Sequence, residues 1–425
     1  MCGILFSIDN KKITDLDALK RRGPDGFQAV ENNLGYFVHS HLNTIGESIV
    51  QPLKTKFGYL LYNGSTYNSK NSNDTKWLGD QLDDKIENSI ELIRSLRGEY
   101  ALIYVTETHI LFCTDQFYQR NLWFYFNGEK KEITISTIQK NVKDKHNAAW
   151  YCEENKIYII DKLTWKIKTM QNKFWNFTQH VDHFDHVIDK FELAVSDRHN
   201  VQNTTNLQSS GIDSGMINCV CLNLFKNHKA IIDATKENNQ VIADRLKKHK
   251  FSVVKYNGEQ PEKVQIFQKI YDSYEVFLCA ETDPLINLCR TVRFHHNNRV
   301  LVTGNGGDEI FSDKTKENHP FCKARLNGAF PVNLELVWPW HNQPNDRMYL
   351  GNQRFDYIAG WFGIEVRNPF LDQDLVQAWL NTTSRLKNTK FKAWIIDYMR
   401  KYDYPYTLEK YHFNQDDYVK PNWLQ

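Results

Sequence analysis

The chain has 425 residues, 41% of them hydrophobic and 24% charged, with a formal net charge of +2. That is chain enough for two ordinary domains with separate cores, and a charge too balanced for a general nucleic-acid binder. No apolar stretch approaches the roughly 20 residues of a bilayer span, and no basic region precedes the N-terminal apolar run, so the expectation is a cytoplasmic protein with small-molecule partners, no nucleic acid and no membrane.

The chain opens on "MCGILFSI". Small residues after Met1 permit its removal, which would leave Cys2 with a thiol and the free α-amine. The alternative is a small buried hydrophobe at the start of a strand. The eight cysteines include no Cys-x-x-Cys pair, so they match neither a disulfide framework nor a zinc site. From there to about Ile167, short apolar or alternating runs ("LGYFVHS", "GYLLYNG", "YALIYVTE", "HILFCTD", "LWFYFN", "EITIST", "KIYIID", "WKIKTM") predict antiparallel strands. Two helical stretches, "ITDLDALKRR" and "DDKIENSIELIRSL", make this half an α+β sandwich. Beyond the linker "QNKFWNFTQHVDHF" the texture changes. His180, His183 and His186 alternate with Asp182 and Asp185 as in a solvated helix start. Helical patterns ("HVIDKFELAVSDRH", "SGMINCVCLNLFKN", "QVIADRLKKHK") then separate short buried strands ("KAIIDAT", "FSVVKY", "RVLVTG"). Such alternation predicts a parallel α/β sheet with its ligand at the carboxyl ends of the strands. Cys219 and Cys221 read as core packing on one of these helices.

Two loops carry the chemistry of the second half. "LQSSGIDSGMIN" is a small-residue loop entering a helix, which offers backbone N–H groups and the positive end of the helix dipole to a phosphate. It lacks the GxxxxGK[ST] pattern and places Asp213 where a metal ligand between phosphates would stand. "VTGNGGDEIFSD" follows a predicted strand and brings Asp308 and Glu309 to the same end of the sheet, so that two acidic loops would share a Mg²⁺. Farther on, "GIEVRNPFLD" sets Glu365, Arg367 and Asp372 around an apolar core, and "LKNTKFKAW" offers Lys390 as a cation for leaving phosphates.

In their order along the chain, these elements resemble the glutamine-dependent asparagine synthetase family. "MCGI", "RRGPDG", "YNGSTYN" and "SNDTK" are similar to its N-terminal nucleophile glutaminase, and "SSGIDS", "TGNGGDEIF" and "GIEVRNPFLD" to its synthetase. The resemblance implies a sandwich of antiparallel sheets over residues 1–168 and an α/β parallel-sheet domain of the ATP-pyrophosphatase type over 185–425. It further implies that Cys2 attacks the glutamine side-chain amide with its α-amine relaying the proton, and that Asn63 and Gly64 are oxyanion donors. Arg22, Gly23, Asp25 and His41 would wall the glutamine pocket, with Asp74 on the substrate's amino group. Ammonia would pass inside the protein to a second site, where ATP and Mg²⁺ activate a carboxylate as an acyl adenylate. There Leu207, Ser209, Gly211, Ile212, Asp213, Ser214, Thr303 and Gly304 would hold ATP, and Asp213 and Asp308 the metal. Lys390 would neutralise pyrophosphate, with Asn305, Glu309, Glu365 and Arg367 on the acceptor side. Four positions depart from the family pattern. His41 replaces an Arg that grips glutamine, Ser65 a Glu, Asn305 a Glu and Ser210 a Gly. The expected activity is amide formation from a carboxylate, aspartate by default, with glutamine or ammonia as nitrogen donor. Open alternatives are a sugar acid or peptide acceptor, ring closure of the β-lactam synthetase kind, and a degenerate nucleotide-binding member. A homodimer is also left open.

Overall fold

Strict alternation along the strand Gly98–Thr106 shows how the first half is layered: Ala101, Ile103 and Val105 point to one apolar cluster, Tyr100, Leu102 and Tyr104 to another. The computed structural model describes residues 1–8, 16–44, 47–68, 73–199, 203–225, 228–234, 237–254, 261–274, 282–312, 329–340 and 347–408. The first cluster lies between two six-stranded sheets. One has the order Trp150–Tyr151, Trp123–Asn127, Glu132–Ser136, Gly3–Ile8, Gly35–His41, Gly26–Asn32. The other runs Lys166–Gln171, Lys156–Asp161, His109–Thr114, Gly98–Thr106, Gly58–Thr66, Leu53–Lys54. All the strand pairings described for these two sheets are antiparallel. The second cluster seats the helices Asp74–Gln81 and Ile86–Ser95 on the outer face of the second sheet. The strand Gly26–Asn32, largely exposed, and the helix Gln139–His146 were not foreseen. Of the expected helix "ITDLDALKRR" the structure shows Asp17–Arg22, while residues 13–15 lie outside the described residues.

The second half is built on a five-stranded sheet in the order Ser252–Val254, Lys229–Asp233, Thr204–Leu207, Val300–Val302, Glu365–Arg367. The pairs among the first four strands are parallel. The helices Asp185–Arg198, Ile212–Leu224 and Asn239–Lys248 fall where the sequence places them. Among the described residues no helix is long and apolar enough to cross a membrane.

Two compact units result: Met1–Asn176 with Asp272–Glu275 and Met348–Glu365, and Phe177–Tyr271 with Val276–Arg347 and Val366–Gln425. The two late segments of the first unit are beyond what a linear reading assigns, and specific contacts explain them. Trp123 Nε1 donates to Tyr357 Oη at 2.9 Å, and the Tyr274 ring stacks on Tyr357 with centroids 4.7 Å apart. Arg22 Nη2 donates to Asp356 Oδ2 at 2.9 Å with both side chains out of solvent, and Asn121 Nδ2 donates to the same oxygen at 2.6 Å.

Removing one partner of such a pair leaves an uncompensated buried charge, which typically costs about 3–5 kcal/mol. Asp356→Ala should therefore lower the unfolding free energy by about that amount in denaturant titration; a loss under about 1 kcal/mol would show that water reaches Arg22.

His199 and His228 in the second unit are held neutral by burial, their pKa values pushed down to about 4 and about 3. A depressed imidazole stabilises fully above the unfolded value of about 6.5 and loses that contribution as pH falls, about 1.4 kcal/mol per pH unit for each group. Unfolding free energy should thus decline steeply between pH 6.5 and 5, and His228→Gln should flatten the slope. A pH-independent stability over that range would contradict the assignment.

Candidate functional site

In the first unit Cys2 precedes the strand Gly3–Ile8, whose register with Gly35–His41 begins at Gly3 opposite Ser40. The thiol is half-buried, receives the Leu42 amide at 3.4 Å and lies 3.8 Å from the Leu42 carbonyl. Burial pushes its pKa up, and the neighbouring terminal ammonium pulls the other way. Met1 is fully buried, its amine donating to the Ile364 carbonyl at 3.1 Å, and burial lowers that amine to about 5. An amine so held is neutral at neutral pH.

Asn63 and Gly64 sit in the strand Gly58–Thr66. The Asn63 amide is fully buried, and neither its nitrogen nor its oxygen has a hydrogen-bond partner among the described residues. A buried amide left unbonded costs free energy unless a ligand completes it, which is what an oxyanion donor requires. Gly64 has φ +143°, and a Cβ there would lie 2.0 Å from the Glu99 carbonyl oxygen, so only glycine fits.

Arg22, expected in the pocket wall, is instead fully buried: besides Asp356 it reaches the Cys2 carbonyl through Nε at 3.1 Å. It holds the backbone of Cys2. Gly23 closes the helix Asp17–Arg22, and the Asp25 carboxylate accepts from the Asn43 amide at 2.8 Å while its own amide donates to the His41 carbonyl at 3.0 Å. His41 Nε2 lies 2.8 Å from Ser48 Oγ. Asp74 accepts from the amides of Thr66 at 3.1 Å and Thr75 at 2.7 Å. Ser72 of the "SNDTK" motif is outside the described residues.

Glu365, expected on the acceptor side, has its carboxylate in this first unit. Ser65 Oγ donates to it at 2.8 Å, and Arg120 lies 4.0 Å away. The departure at Ser65 is thereby offset: a second carboxylate at position 65 would face Glu365 with like charge.

In the second unit the polar strand Thr204–Leu207, itself unforeseen, leads into the loop Gln208–Gly211 and the helix Ile212–Leu224. Leu207 ends that strand, and Ile212 is buried on the first turn of the helix. Ser214 Oγ meets Ser209 Oγ at 2.8 Å and accepts from the Ser209 amide at 2.9 Å; the Gly211 amide donates to Ser209 Oγ at 3.2 Å. Arg245 braces the loop from behind, bonding the carbonyls of Ser209 and, at 3.0 Å, Gly211. The Ser210 amide donates to Glu237 Oε2 at 2.6 Å, and Ser210 Oγ donates to the same atom. Burial raises the pKa of this carboxylate, with the Ser210 donors opposing. The loop thus already holds an acidic side chain of the protein itself.

The adjacent parallel strand Val300–Val302 delivers the second loop at the same end. Thr303 Oγ1 donates to Asn368 Oδ1 at 2.6 Å, and Gly304 packs on the Ser214 amide. Asn305 Nδ2 is buried with no partner among the described residues. Glu309 closes the first turn of Gly307–Phe311 by accepting from the Gly306 amide at 3.1 Å, which makes it a helix cap. A Cβ on Gly307 would stand 2.7 Å from the Asp213 carboxyl group, so glycine is what lets the two acidic loops meet. Between them lies Lys392. Its Nζ donates to Asp213 at 2.6 Å and to Asp308 at 2.7 Å from a side chain with no solvent exposure. Burial opposes its charge, but the two carboxylates outweigh burial and raise its pKa. Lys392 takes a left-handed backbone, φ 45° and ψ 47°, at the start of the helix Ala393–Lys401. Lys390, the cation expected here, is exposed and pairs with Asp397 at 2.5 Å. The signal that separates the two is position: Lys392 directly precedes the apolar run "AWII", so it is the lysine that the core draws inward. Arg367, expected on the acceptor side, is buried and donates to the Arg198 carbonyl at 3.2 Å. The two carboxylates could offer the oxygen-only donor set that suits Mg²⁺; in this structure the Lys392 ammonium lies between them.

No family model matches the chain. It is 24% identical, over 91% of its length and 79% of the relative's, to a probable glutamine-hydrolysing asparagine synthetase of Acanthamoeba polyphaga mimivirus. It is 21% identical, over 69% of its length, to a putative asparagine synthetase of Methanocaldococcus jannaschii, of which it spans 53%. Among solved structures, a glutamine phosphoribosylpyrophosphate amidotransferase from B. subtilis aligns over 72% of this chain and 82% of its own, at 13% identity and a TM-score of 0.34. By sequence, along nine-tenths of its length, the chain is thus similar to a protein named as a probable glutamine-hydrolysing asparagine synthetase.

Proposed function

We propose that the protein is an ATP-dependent amidotransferase that takes ammonia from glutamine in its first unit and forms an amide on a carboxylate, aspartate by default, in its second. The observation that carries this reading is the buried Asp213–Lys392–Asp308 bridge beside a loop whose amide already grips a carboxylate. The names of the two relatives support the choice of glutamine and aspartate.

In the first unit, loss of Met1 would leave the α-amine on Cys2, in surroundings that keep an amine unprotonated and able to accept the thiol proton. Cys2 would attack the glutamine amide, and the buried, unbonded Asn63 Nδ2 would donate to the developing oxyanion. Arg22 would keep the Cys2 backbone still. In the second unit, the amides of the Ser209–Gly211 loop would receive ATP phosphates once Glu237 withdraws, and Lys392 would move from its two carboxylates onto the leaving pyrophosphate. Asp213 and Asp308 would hold Mg²⁺, which when bound neutralises phosphate charge.

ATP–pyrophosphate exchange, measured with aspartate and then with other carboxylates, tests the second unit. Lys392→Met should reduce exchange by about 100-fold or more, the usual cost of removing a preorganised charge from a transition state, whereas Lys390→Met should leave it within a few-fold. Equal effects of the two changes would remove Lys392 from the site. For the first unit, Cys2→Ala should abolish glutamine-dependent amide formation and spare the ammonia-dependent reaction. Equal loss with both nitrogen donors would make Cys2 structural.

A further inference from the structure

The register that places Cys2 also gathers two imidazoles. Gly3 pairs with Ser40 and Ile4 with His39 in the antiparallel ladder, so the next position brings Cys2 opposite His41. Because side chains alternate, Cys2, His39 and His41 share one face. One ligand atom from each of these three residues lies within 4.8 Å of the others. In a tetrahedral zinc site, bonds of about 2.3 Å to sulfur and 2.0 Å to nitrogen put donors roughly 3.5 Å apart, so modest side-chain rotation closes the set. His39 is 2% exposed, and its Nε2 has no hydrogen-bond partner among the described residues. A buried nitrogen of that kind calls for a partner, and an ion is one that meets the need. The Leu42 amide already directs its hydrogen at Cys2 Sγ, and Ser48 Oγ holds the His41 ring, contacts of the sort that orient metal ligands.

We infer that Cys2, His39 and His41 form a three-ligand site for a borderline or soft divalent cation of the zinc type, one that masks the thiol when filled. Sulfur and imidazole donors select such a cation over Mg²⁺, which prefers oxygen. On binding, the thiol gives its proton to solvent and its sulfur lone pair to the metal, with no change of oxidation state; three protein ligands leave one position for water. The sequence offered no sign of this, since its cysteines lack metal-site spacing; the ligands meet only through strand pairing. The site stands on this geometry whether or not the amidotransferase reading holds.

Cobalt is the spectroscopic probe. Full-length protein titrated with Co²⁺ should show a thiolate-to-cobalt charge-transfer band and intense tetrahedral d–d bands at one equivalent, both removed by added Zn²⁺. Cys2→Ser should abolish the charge-transfer band, and His39→Gln and His41→Arg should each weaken binding by roughly tenfold or more, with folding checked by circular dichroism. His41→Arg, at a half-buried strand end, serves where His39→Gln disturbs the core. Independently, saturating Zn²⁺ should slow alkylation of Cys2 by iodoacetamide about tenfold, read by mass spectrometry of the N-terminal peptide, and a chelator should restore the rate. A wild-type protein without a charge-transfer band, a band indifferent to both histidine substitutions, or alkylation of Cys2 unaffected by zinc would each overturn the proposal.

Discussion

A guanidinium with no access to water holds the N-terminal strand of the first unit in place. Arg22 spends one nitrogen on the Cys2 carbonyl and another on the Asp356 carboxylate, which Asn121 also satisfies. The fork geometry of arginine matters here, because its Nε and Nη2 donors leave from separate atoms of one rigid plane, whereas a lysine would have to serve both partners from a single nitrogen. The segment Met348–Glu365 thus enters the first unit as its counter-ion supplier, and the Cys2 backbone is tied through Arg22 to a residue more than three hundred positions away.

The second unit meets a similar difficulty with carboxylates. Asp213 and Asp308 are brought together by glycine-lined loops at neighbouring strand ends, where two like charges would repel without a cation between them. Lys392 supplies it, held in a left-handed backbone that costs a non-glycine residue about 1 kcal/mol or more and that the surrounding structure must enforce. Strain at a residue of this kind is usual where a side chain must be aimed rather than merely packed.

Much of this was legible in the sequence where chemistry and backbone conformation coincide locally. Cys2, Asn63, Gly64, Asp213 and Asp308 each lie in a short run whose glycines or small residues announce a loop or a strand end, and the architecture followed from the switch between period-two runs and strand–helix alternation. What escaped depends on tertiary contact. The central strand Thr204–Leu207 reads as polar, yet Asn298 Nδ2 bonds Thr205 Oγ1 at 2.9 Å and Asn206 Nδ2 meets Cys221 Sγ at 3.1 Å, so part of its polarity is met by side chains from elsewhere in the fold. Arg22 carried the expected motif with a different task, and Glu365 lies in a motif whose neighbours belong to the second unit while its carboxylate serves the first. Glu237 and Lys392 have no motif of their own: one follows a strand, the other precedes a helix, and only folding shows what each faces.

The grip of Glu237 on Ser210 gives the loop Gln208–Gly211 an occupant of its own. A glycine in place of Ser210 would offer the carboxylate a single amide; the serine adds its hydroxyl and so lengthens the time the loop is filled. Any incoming polyanion then competes with a tethered rival whose local concentration never dilutes, and its apparent affinity is the intrinsic one scaled by the fraction of time the loop stands clear. Selectivity would follow from the same arithmetic: a lone small anion that touched one amide would gain little by evicting Glu237, whereas a polyanion with further contacts, such as the phosphate chain proposed above, would recover the loss.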